Sequence, residues 1–360
     1  MLEIKINNEI IEKVKALRLG EDIGFGKYMV PIMIECNYKD GKWGDIEIKP
    51  YAKIEIDPCS KVLHYGQEIF EGMKAYKKDE DNVFLFRPFE NAKRFNHSAR
   101  RMAMAEFPEE SFVKCAELMA AYSRRIIPRR LGESLYIRPF MFATEVALGI
   151  APSKEFKFML IASPAGNYFQ TDSLKVFIER TSCRAAQGGT GSAKTGGNYA
   201  AGLMATVNSL SKGFHQVMWL DGAEKKYIEE MSGMNFFAVI NNELHTPELT
   251  DTILRGITRD TILKIAQSMG YKVVERKMAI NDLLVQVAQG KCNEAFVCGT
   301  ASVLAPVGSF HENNGESVKL KNPEGIIGPK IKNALLKMQA GHIEATEKDW
   351  MYKIPNIDFK

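Results

Sequence analysis

The most constraining feature of the sequence is a glycine-rich stretch, residues 188–199, in which five glycines surround the single lysine Lys194. Glycine reaches backbone conformations closed to other residues and lets a ligand approach the chain closely. A lysine in such a loop either clamps a phosphate or, when desolvated, acts as a nucleophilic amine. Taken alone, the stretch is equally typical of a flexible surface loop with a solvated lysine. An apolar series at helical spacing follows it: Ala200, Leu203, Met204, Val207 and Leu210.

Length and composition indicate an ordinary globular protein of two domains. The chain has 360 residues, of which 45% are hydrophobic and 26% charged. Its net charge of +4 is small and its basic residues are dispersed, so no nucleic-acid partner is expected. No apolar run reaches membrane-spanning length, and the first residues show no signal-peptide pattern. The six cysteines form neither a CxxC pair nor a metal-ligand spacing, which predicts reduced thiols, a cytoplasmic location and no metal site.

The first half of the chain mixes strands and helices. Asp40-Gly41 is a typical hairpin turn between two apolar runs. Helices are predicted from Pro88 to about residue 105, and from a capping Ser111 to residue 125. Strands are predicted over residues 32–36, 46–48, 53–56, 135–142 and 156–162. The pattern breaks at residues 163–168, which predicts an α+β N-terminal domain over 1–165 and an interdomain loop over 166–174.

The second half, residues 175–360, is predicted to form a larger domain that carries the lysine. Strands are predicted over residues 174–180, 216–221, 227–240 and 294–298, and helices over 200–212, 260–269, 280–288 and 328–340. Glu229 and Glu230 enter an apolar run, where an extended chain directs them to opposite faces, so at most one is expected in the core. We have no interpretation of the C-terminal tail.

A nucleotide-binding phosphate loop is the first alternative. Residues 188–195 nearly fit the pattern G-x-x-x-x-G-K-[ST], and a strand ending in Asp221 resembles its magnesium partner. However, Ala193 replaces the glycine before the lysine, and two glycines delay the helix. About eight residues also separate strand from loop, whereas the motif turns directly from strand into helix. The nucleotide-binding hypothesis is therefore disfavoured.

The remaining polar residues suit a different kind of binding site. Arg138 lies in a strand, where a half-buried charge commonly needs an anionic partner. The helix start after Leu254 and the turn Gly299-Thr300-Ala301 both offer backbone N–H groups to an anion. With Lys194 and one buried glutamate, these features form the equipment of a pyridoxal-phosphate site: a Schiff-base lysine, a phosphate cup and an acid for the pyridine nitrogen.

The sequence resembles a known family, the branched-chain amino acid aminotransferases of the fold-type-IV pyridoxal-phosphate class. The resemblance runs over nearly the whole chain and is carried by several motifs in order: residues 70–74, 86–88, 136–139, 189–194, 197–201, 216–221, 229–235 and 299–301. It implies a mixed α+β enzyme of two domains, with pyridoxal 5'-phosphate at the domain interface.

The resemblance also implies residue roles for the cofactor. Lys194 is the Schiff-base lysine and later the general base and acid, while Glu230 rather than Glu229 holds the pyridine nitrogen protonated. Tyr199 matches the tyrosine beside the phenolic oxygen. The residues that match the phosphate site are Arg94, Ile257, Thr258 and Thr300.

For the substrate, the resemblance implies an aromatic-lined pocket with one cation. Leucine, isoleucine and valine need the apolar wall, and Arg138 meets the distal carboxylate of 2-oxoglutarate or glutamate in the other half of a ping-pong reaction. The backbone of Thr300 and Ala301 matches the site of the substrate carboxylate. Leu148 resembles a residue lent by a second subunit, which implies a homodimer at least. The matching pocket residues are Phe25, Tyr65, Phe70, Tyr136, Arg138 and Tyr168.

Three further comparisons limit this interpretation. Mammalian members carry a CxxC pair after the Gly-Thr-Ala turn, but Ser302 and Ala305 stand there in this sequence, so no such redox switch is expected. A D-amino-acid aminotransferase or aminodeoxychorismate lyase remains an alternative, disfavoured by the chain length and by Tyr136 and Arg138. A catalytically inactive cofactor-binding scaffold is disfavoured by the presence of both Lys194 and Glu230.

Overall fold

A computed structural model describes residues 1–166, 168 and 171–356. The chain forms two compact units. The first comprises Met1–Tyr168, Ala193–Gly196 and Leu336–Lys360, and the second Phe169–Ser192 and Gly197–Leu335. Both contain helices and strands, which confirms the predicted mixed α and β class.

The strands and helices are numbered in chain order. The strands are β1 (Ile4–Ile6), β2 (Ile32–Lys39), β3 (Lys42–Trp43), β4 (Ile46–Pro50), β5 (Glu68–Phe70), β6 (Met73–Lys77), β7 (Val83–Phe86), β8 (Ser134–Ala143), β9 (Phe156–Ala165), β10 (Leu174–Glu179), β11 (Gln216–Leu220), β12 (Ile228–Met231), β13 (Met234–Ile240), β14 (Glu243–Pro247), β15 (Val273–Arg276), β16 (Cys292–Gly299), β17 (Val303–His311), β18 (Ser317–Lys319) and β19 (Met351–Lys353). The helices are α1 (Glu9–Ala16), α2 (Lys61–Tyr65), α3 (Pro88–Arg101), α4 (Glu109–Tyr122), α5 (Gly196–Ala200), α6 (Leu203–Ser211), α7 (Ile257–Ser268), α8 (Ile280–Ala288) and α9 (Ile327–Gln339).

The first unit is built on one sheet. Its strand order is β1-β4-β2-β9-β8-β6-β7-β19, with β3 beside β2 and β5 beside β8. Phe95 of α3 and Phe112 of α4 pack on each other and on Phe158 of β9, and Phe107 stacks on Phe158 with ring centroids 4.0 Å apart. These buried rings fix α3 and α4 against the sheet, because aromatic side chains contribute large apolar areas to a core.

The second unit is built on a sheet that closes on itself. Its strand order is β12-β11-β10-β17-β16-β13-β14-β15, and β12 also pairs with β13. Strands β10, β11, β12, β13, β16 and β17 therefore form a ring, in which each strand has a neighbour on both sides. Alternate residues of these strands, such as Val176 and Ile178 of β10 or Phe236 and Ala238 of β13, join one buried apolar cluster. This period of two is the pattern of a sheet with a core on one face.

Of three local predictions in the first unit, the structure confirms one and contradicts two. The hairpin is confirmed: Asp40 and Gly41 link β2 to β3 with φ of 52° and 77°, conformations that favour glycine and aspartate. The predicted strand at 53–56 is wrong, because these exposed residues pair with no described strand. Ser111 does not cap a helix. It is buried inside α4, which begins after Pro108, and its Oγ accepts a hydrogen bond from the Leu2 amide.

The C-terminal residues complete the first unit. We expected residues 336–360 in the second domain, but β19 pairs antiparallel with β7 and the Arg87 amide donates to the Trp350 carbonyl at 2.7 Å. The Trp350 ring is buried, lies 5.7 Å from the Phe86 ring, and carries the Arg87 guanidinium 5.0 Å from its centroid. Burial of this large ring explains why the tail follows the first unit.

A buried carboxylate caps helix α9. Glu294 of β16 accepts backbone N–H groups from Ile326, Ile327 and Gly328, at 2.5 to 3.0 Å. A negative charge at a helix N-terminus satisfies amides that have no partner within the helix and interacts well with its dipole.

We therefore expect Glu294→Ala to lower the free energy of unfolding by about 2 kcal/mol, because three amides, two of them buried, lose their acceptor. Urea unfolding followed by circular dichroism measures this loss. The exposed Glu316 provides the control, since Glu316→Ala is expected to change stability by less than about 0.5 kcal/mol. Equal effects of the two substitutions would contradict the capping role.

None of the helices in the described part of the chain combines the length and the apolar character that crossing a bilayer requires.

Candidate active site

Lys194 belongs to the first unit, not to the C-terminal domain in which the sequence placed it, because its backbone bonds to that unit. Its N–H donates to Ser98 Oγ of α3 at 2.9 Å, and its carbonyl accepts from the Phe70 amide at 2.9 Å. Its ammonium nitrogen lies 4.7 Å from the centroid of the Phe70 ring. The backbone of the lysine is therefore held between a helix and a strand end, unlike that of a lysine on a flexible surface loop.

The residues after Lys194 are anchored by Glu68 of β5. Its carboxylate accepts hydrogen bonds from the Thr195 hydroxyl, at 3.1 Å, and from the Gly196 amide. Burial raises the pKa of Glu68, while these hydrogen bonds and the Arg138 guanidinium act to lower it. A half-buried carboxylate thus lies directly beside the lysine loop.

Five of the predicted substrate residues form one connected cluster in the first unit. The Arg138 guanidinium lies 4.8 Å from the Phe70 ring and 5.3 Å from the Tyr136 ring, and its Nη2 donates to the Tyr136 hydroxyl at 2.9 Å. Phe25 meets Tyr136 edge-on at 4.9 Å and Tyr168 at 5.3 Å. The cluster is an aromatic wall with one cation in it, as a pocket for both apolar and acidic side chains requires.

Tyr65 and Leu148 also contact each other, since the Tyr65 hydroxyl donates to the Leu148 carbonyl. Their surroundings are apolar and open to solvent. Leu148 is 61% exposed, and Val146 and Ile150 beside it are 58% and 89% exposed. Exposed apolar groups that are contiguous in the chain are typical of protein–protein contact surfaces.

Arg94 is oriented by Glu71, a carboxylate to which the sequence assigned no role. The guanidinium donates Nε to Glu71 Oε1 at 2.7 Å and Nη2 to Glu71 Oε2 at 2.8 Å. Glu71 is fully buried and also accepts from Asn91 Nδ2 and the Gly72 amide. A bidentate pair of this kind fixes the plane of the guanidinium.

We expect Glu71→Gln to lower the free energy of unfolding by about 3 kcal/mol, because it leaves the Arg94 charge buried without its counter-charge. Helix α3 supplies a matched control in the exposed pair Glu90–Lys93, whose partners lie 2.8 Å apart. Glu90→Gln is expected to change stability by less than about 0.5 kcal/mol. Urea unfolding midpoints of the two variants measure the difference. Similar midpoints would contradict the larger contribution of the buried Glu71–Arg94 pair.

In the second unit, Glu230 lies near the end of β12, beside the neighbouring strands β13 and β16. It pairs with Asn235 of β13, which pairs in turn with Cys298 of β16. The Glu230 carboxylate accepts the Leu254 amide and lies 3.6 Å from Arg184 Nη2. This carboxylate is therefore held in a defined position by a backbone donor and a cation.

Both neighbouring glutamates are buried, contrary to the prediction that at most one is. Glu229 accepts the Thr252 hydroxyl, and its Oε2 has no hydrogen-bond partner among the described residues. Burial raises the pKa of Glu229. The loop that carries Thr252 and Leu254 supplies donors to both carboxylates, and this is why the pair is tolerated inside the unit.

The other predicted cofactor residues of this unit lie around Glu230. Asn235 Nδ2 donates to the Leu254 carbonyl, and a Cβ on Gly256 would approach Asn235 Oδ1 to 1.9 Å, so the chain passes tightly over Asn235 into α7. Ile257 and Thr258 are the first two residues of α7, where backbone N–H groups point outward.

Tyr199 and the turn after β16 complete this group. Tyr199 packs on the turn that follows β12, where a Cβ on Gly233 would lie 2.9 Å from the tyrosine ring. Thr300 and Ala301 form the turn between β16 and β17, which follows the Cys298 position paired with Asn235. The structure therefore brings together an acid, a tyrosine and the two backbone segments predicted to bind an anion in the second unit.

Sequence reasoning missed the residues that hold these groups in place, namely Glu68, Glu71, Ser98 and Arg184. Glu71 carried a usable signal, since a carboxylate in the short link between two apolar strands needs a cation when it is buried. Ser98 and Arg184 carried none, because a serine in a helix and an arginine in a loop are ordinary.

Comparisons with known proteins identify the family of the chain. The Amino-transferase class IV family matches residues 68–310. A probable branched-chain-amino-acid aminotransferase of Staphylococcus aureus strain MRSA252 is 42% identical over 351 residues, 96% of this chain and 98% of the relative.

Two solved structures share the fold. A branched-chain aminotransferase from Thermoproteus uzoniensis with norvaline has a TM-score of 0.75 and 24% identity, over 90% of this chain and 99% of that one. A branched-chain amino acid aminotransferase from T.th., complexed with N-(5'-phosphopyridoxyl)-L-glutamate, has a TM-score of 0.71 and 26% identity, over 89% and 98%. This chain belongs to the class IV aminotransferases and, within them, to the branched-chain-amino-acid aminotransferase family.

Proposed function

We propose that the protein transfers the amino group of L-leucine, L-isoleucine and L-valine reversibly to 2-oxoglutarate, with pyridoxal 5'-phosphate as cofactor. One observation carries the substrate assignment. The Lys194 amine and the Arg138 guanidinium lie 4.7 Å and 4.8 Å from the same Phe70 ring centroid, within an aromatic cluster. A substrate whose Cα is at Lys194 therefore extends its side chain along aromatic rings towards one cation.

The donor set suits pyridoxal phosphate. A helix N-terminus with Ile257 and Thr258, the hydroxyl of Thr300 and the guanidinium of Arg94 are groups that bind phosphate. The buried carboxylate of Glu230 suits a protonated ring nitrogen, and the Tyr199 hydroxyl suits a phenolic oxygen. Placement of the cofactor at the domain interface stays a prediction of the resemblance.

The residues then have separate tasks. When bound, the cofactor supplies an electron sink for the pair released from the substrate Cα–H bond. Lys194 Nζ takes the proton from Cα as a general base and returns it as a general acid. The backbone of Thr300 and Ala301 binds the substrate carboxylate.

The pocket accepts two kinds of side chain for physical reasons. Phe25, Phe70, Tyr136 and Tyr168 offer apolar area to a branched aliphatic chain. The Arg138 guanidinium has five N–H donors, and Nη2 bonds to the Tyr136 hydroxyl, so the fork has further donors for the distal carboxylate of 2-oxoglutarate or glutamate. One site can thus serve both halves of a ping-pong reaction.

Assembly and location are part of the proposal. The apolar surface at Tyr65 and Leu148 is where a second copy of the chain packs, with Leu148 lent to the partner's pocket, so the enzyme is at least a homodimer. Sedimentation of the purified protein tests this. We place the enzyme in the cytoplasm, since the free cysteines suit a reducing compartment.

The decisive experiment uses purified protein supplied with pyridoxal phosphate. We expect a yellow protein whose visible absorption band shifts on addition of L-leucine, and glutamate formation from L-leucine with 2-oxoglutarate. D-leucine serves as the stereochemical control and is expected to be inert. A colourless protein that binds ATP, or activity with D-amino acids alone, would overturn the proposal.

A further inference from the structure

Glu68 and Arg138 share one face of the first sheet. Glu68 and Phe70 of β5 lie opposite Phe142 and Phe140 of β8. Residues directly opposite in an antiparallel pair point to the same face, and alternate residues of one strand do so as well. Glu68, Phe70 and Arg138 therefore project from the same face, the one that carries the aromatic cluster.

The two charges interact at a distance. Their place on one face of the sheet puts the two charges near each other, and Arg138 accordingly acts to lower the pKa of Glu68. The hydrogen bonds given for the Glu68 carboxylate come instead from the Thr195 hydroxyl and the Gly196 amide, which hold it beside the lysine loop. Glu68 is thus a fixed negative charge near the group that meets the distal carboxylate.

We propose that Glu68 is a specificity-determining residue: its fixed negative charge weakens binding of substrates that bring a second carboxylate to Arg138, and leaves apolar substrates unaffected. The inference rests on the proposed function. Two like charges near one cation repel each other, and partial burial keeps this repulsion from being screened by water. An aliphatic side chain carries no charge for Glu68 to repel.

Glutamine is the informative replacement at this position. Its amide oxygen still accepts the hydrogen bonds of Thr195 and Gly196, so Glu68→Gln removes the charge and keeps the anchor of the lysine loop. Thr195→Val is the matched control, because it removes one of these hydrogen bonds and leaves the Glu68 charge in place.

The test measures binding of two unreactive ligands to the cofactor-loaded enzyme by calorimetry. Glutarate carries two carboxylates, whereas 4-methylpentanoate carries one carboxylate and a branched aliphatic end. We expect Glu68→Gln to lower the Kd of glutarate about 3- to 10-fold and to change that of 4-methylpentanoate by less than about 2-fold. In steady-state kinetics, the Michaelis constant should fall in parallel when 2-oxoglutarate is varied and should stay constant when leucine is varied.

The other outcomes overturn either this inference alone or both the inference and the proposed function. If Glu68→Gln leaves both Kd values unchanged, or shifts them equally as Thr195→Val is expected to do, Glu68 acts only as an anchor and the inference is overturned. If the wild-type enzyme binds both ligands but the selectivity does not change, the proposed function stands and this inference alone fails. A wild-type protein that binds neither ligand and does not convert leucine overturns both.

Discussion

Lys194→Ala is expected to lower kcat at least about 10⁴-fold with leucine and 2-oxoglutarate. In the proposed function, the substitution removes both the covalent attachment of the cofactor and the group that moves the Cα proton. The visible absorption of the cofactor-loaded protein is expected to disappear or to become removable by dialysis. Steady-state kinetics and absorption spectra after dialysis measure the two effects.

A second lysine provides the control. Lys212 is exposed and its Nζ donates to Asn313 Oδ1 at 2.9 Å, so Lys212→Ala should retain wild-type activity and colour. The backbone contacts of Lys194 to Ser98 and Phe70 do not involve its side chain, so the variant is expected to fold. Substantial activity in Lys194→Ala would refute the role assigned to this residue.

Glu230→Gln is expected to lower kcat about 10²- to 10³-fold. The amide has nearly the same shape as the carboxylate but no charge, so it cannot hold a ring nitrogen in its protonated form. The absorption spectrum of the bound cofactor should change, because the protonation state of the ring changes. Kinetics and spectra recorded across roughly pH 6 to 9 measure both consequences.

The adjacent glutamate, Glu229, provides the control for this experiment. Glu229 is also buried, but its contact is with the Thr252 hydroxyl and burial raises its pKa, so Glu229→Gln removes little that the site uses. We expect that variant to keep more than about half of the wild-type kcat. Equal losses in the two variants would mean that burial of the acidic pair, rather than the charge at Glu230, is what matters.

The signals of the proposed reacting groups are local in the sequence. The glycines around Lys194, the glutamate pair before β13 and the turn after β16 each lie within about ten residues, and short segments carry their own conformational preferences. The same holds for the hairpin at Asp40 and Gly41, where the demand for positive φ limits the choice of residue.

Other predictions failed where a distant partner decided the outcome. Residues 53–56 alternate as a strand does, yet pair with no described strand, because a ladder needs a neighbour that sequence alternation cannot supply. Ser111 has the side chain of a helix cap but is buried within α4, since Pro108 fixes an earlier helix start.

Sequence alone indicated the class of chemistry in this protein, because the proposed amine, acid and anion-binding turns each depend on residue types at short spacing. Tertiary structure alone decided how those groups are held. Ser98 reaches Lys194 across 96 residues and Glu68 reaches Gly196 across 128 residues, and Trp350 returns β19 to the first unit. Such contacts form only when burial of a whole core compensates for the entropy of closing long loops, so no local pattern encodes them.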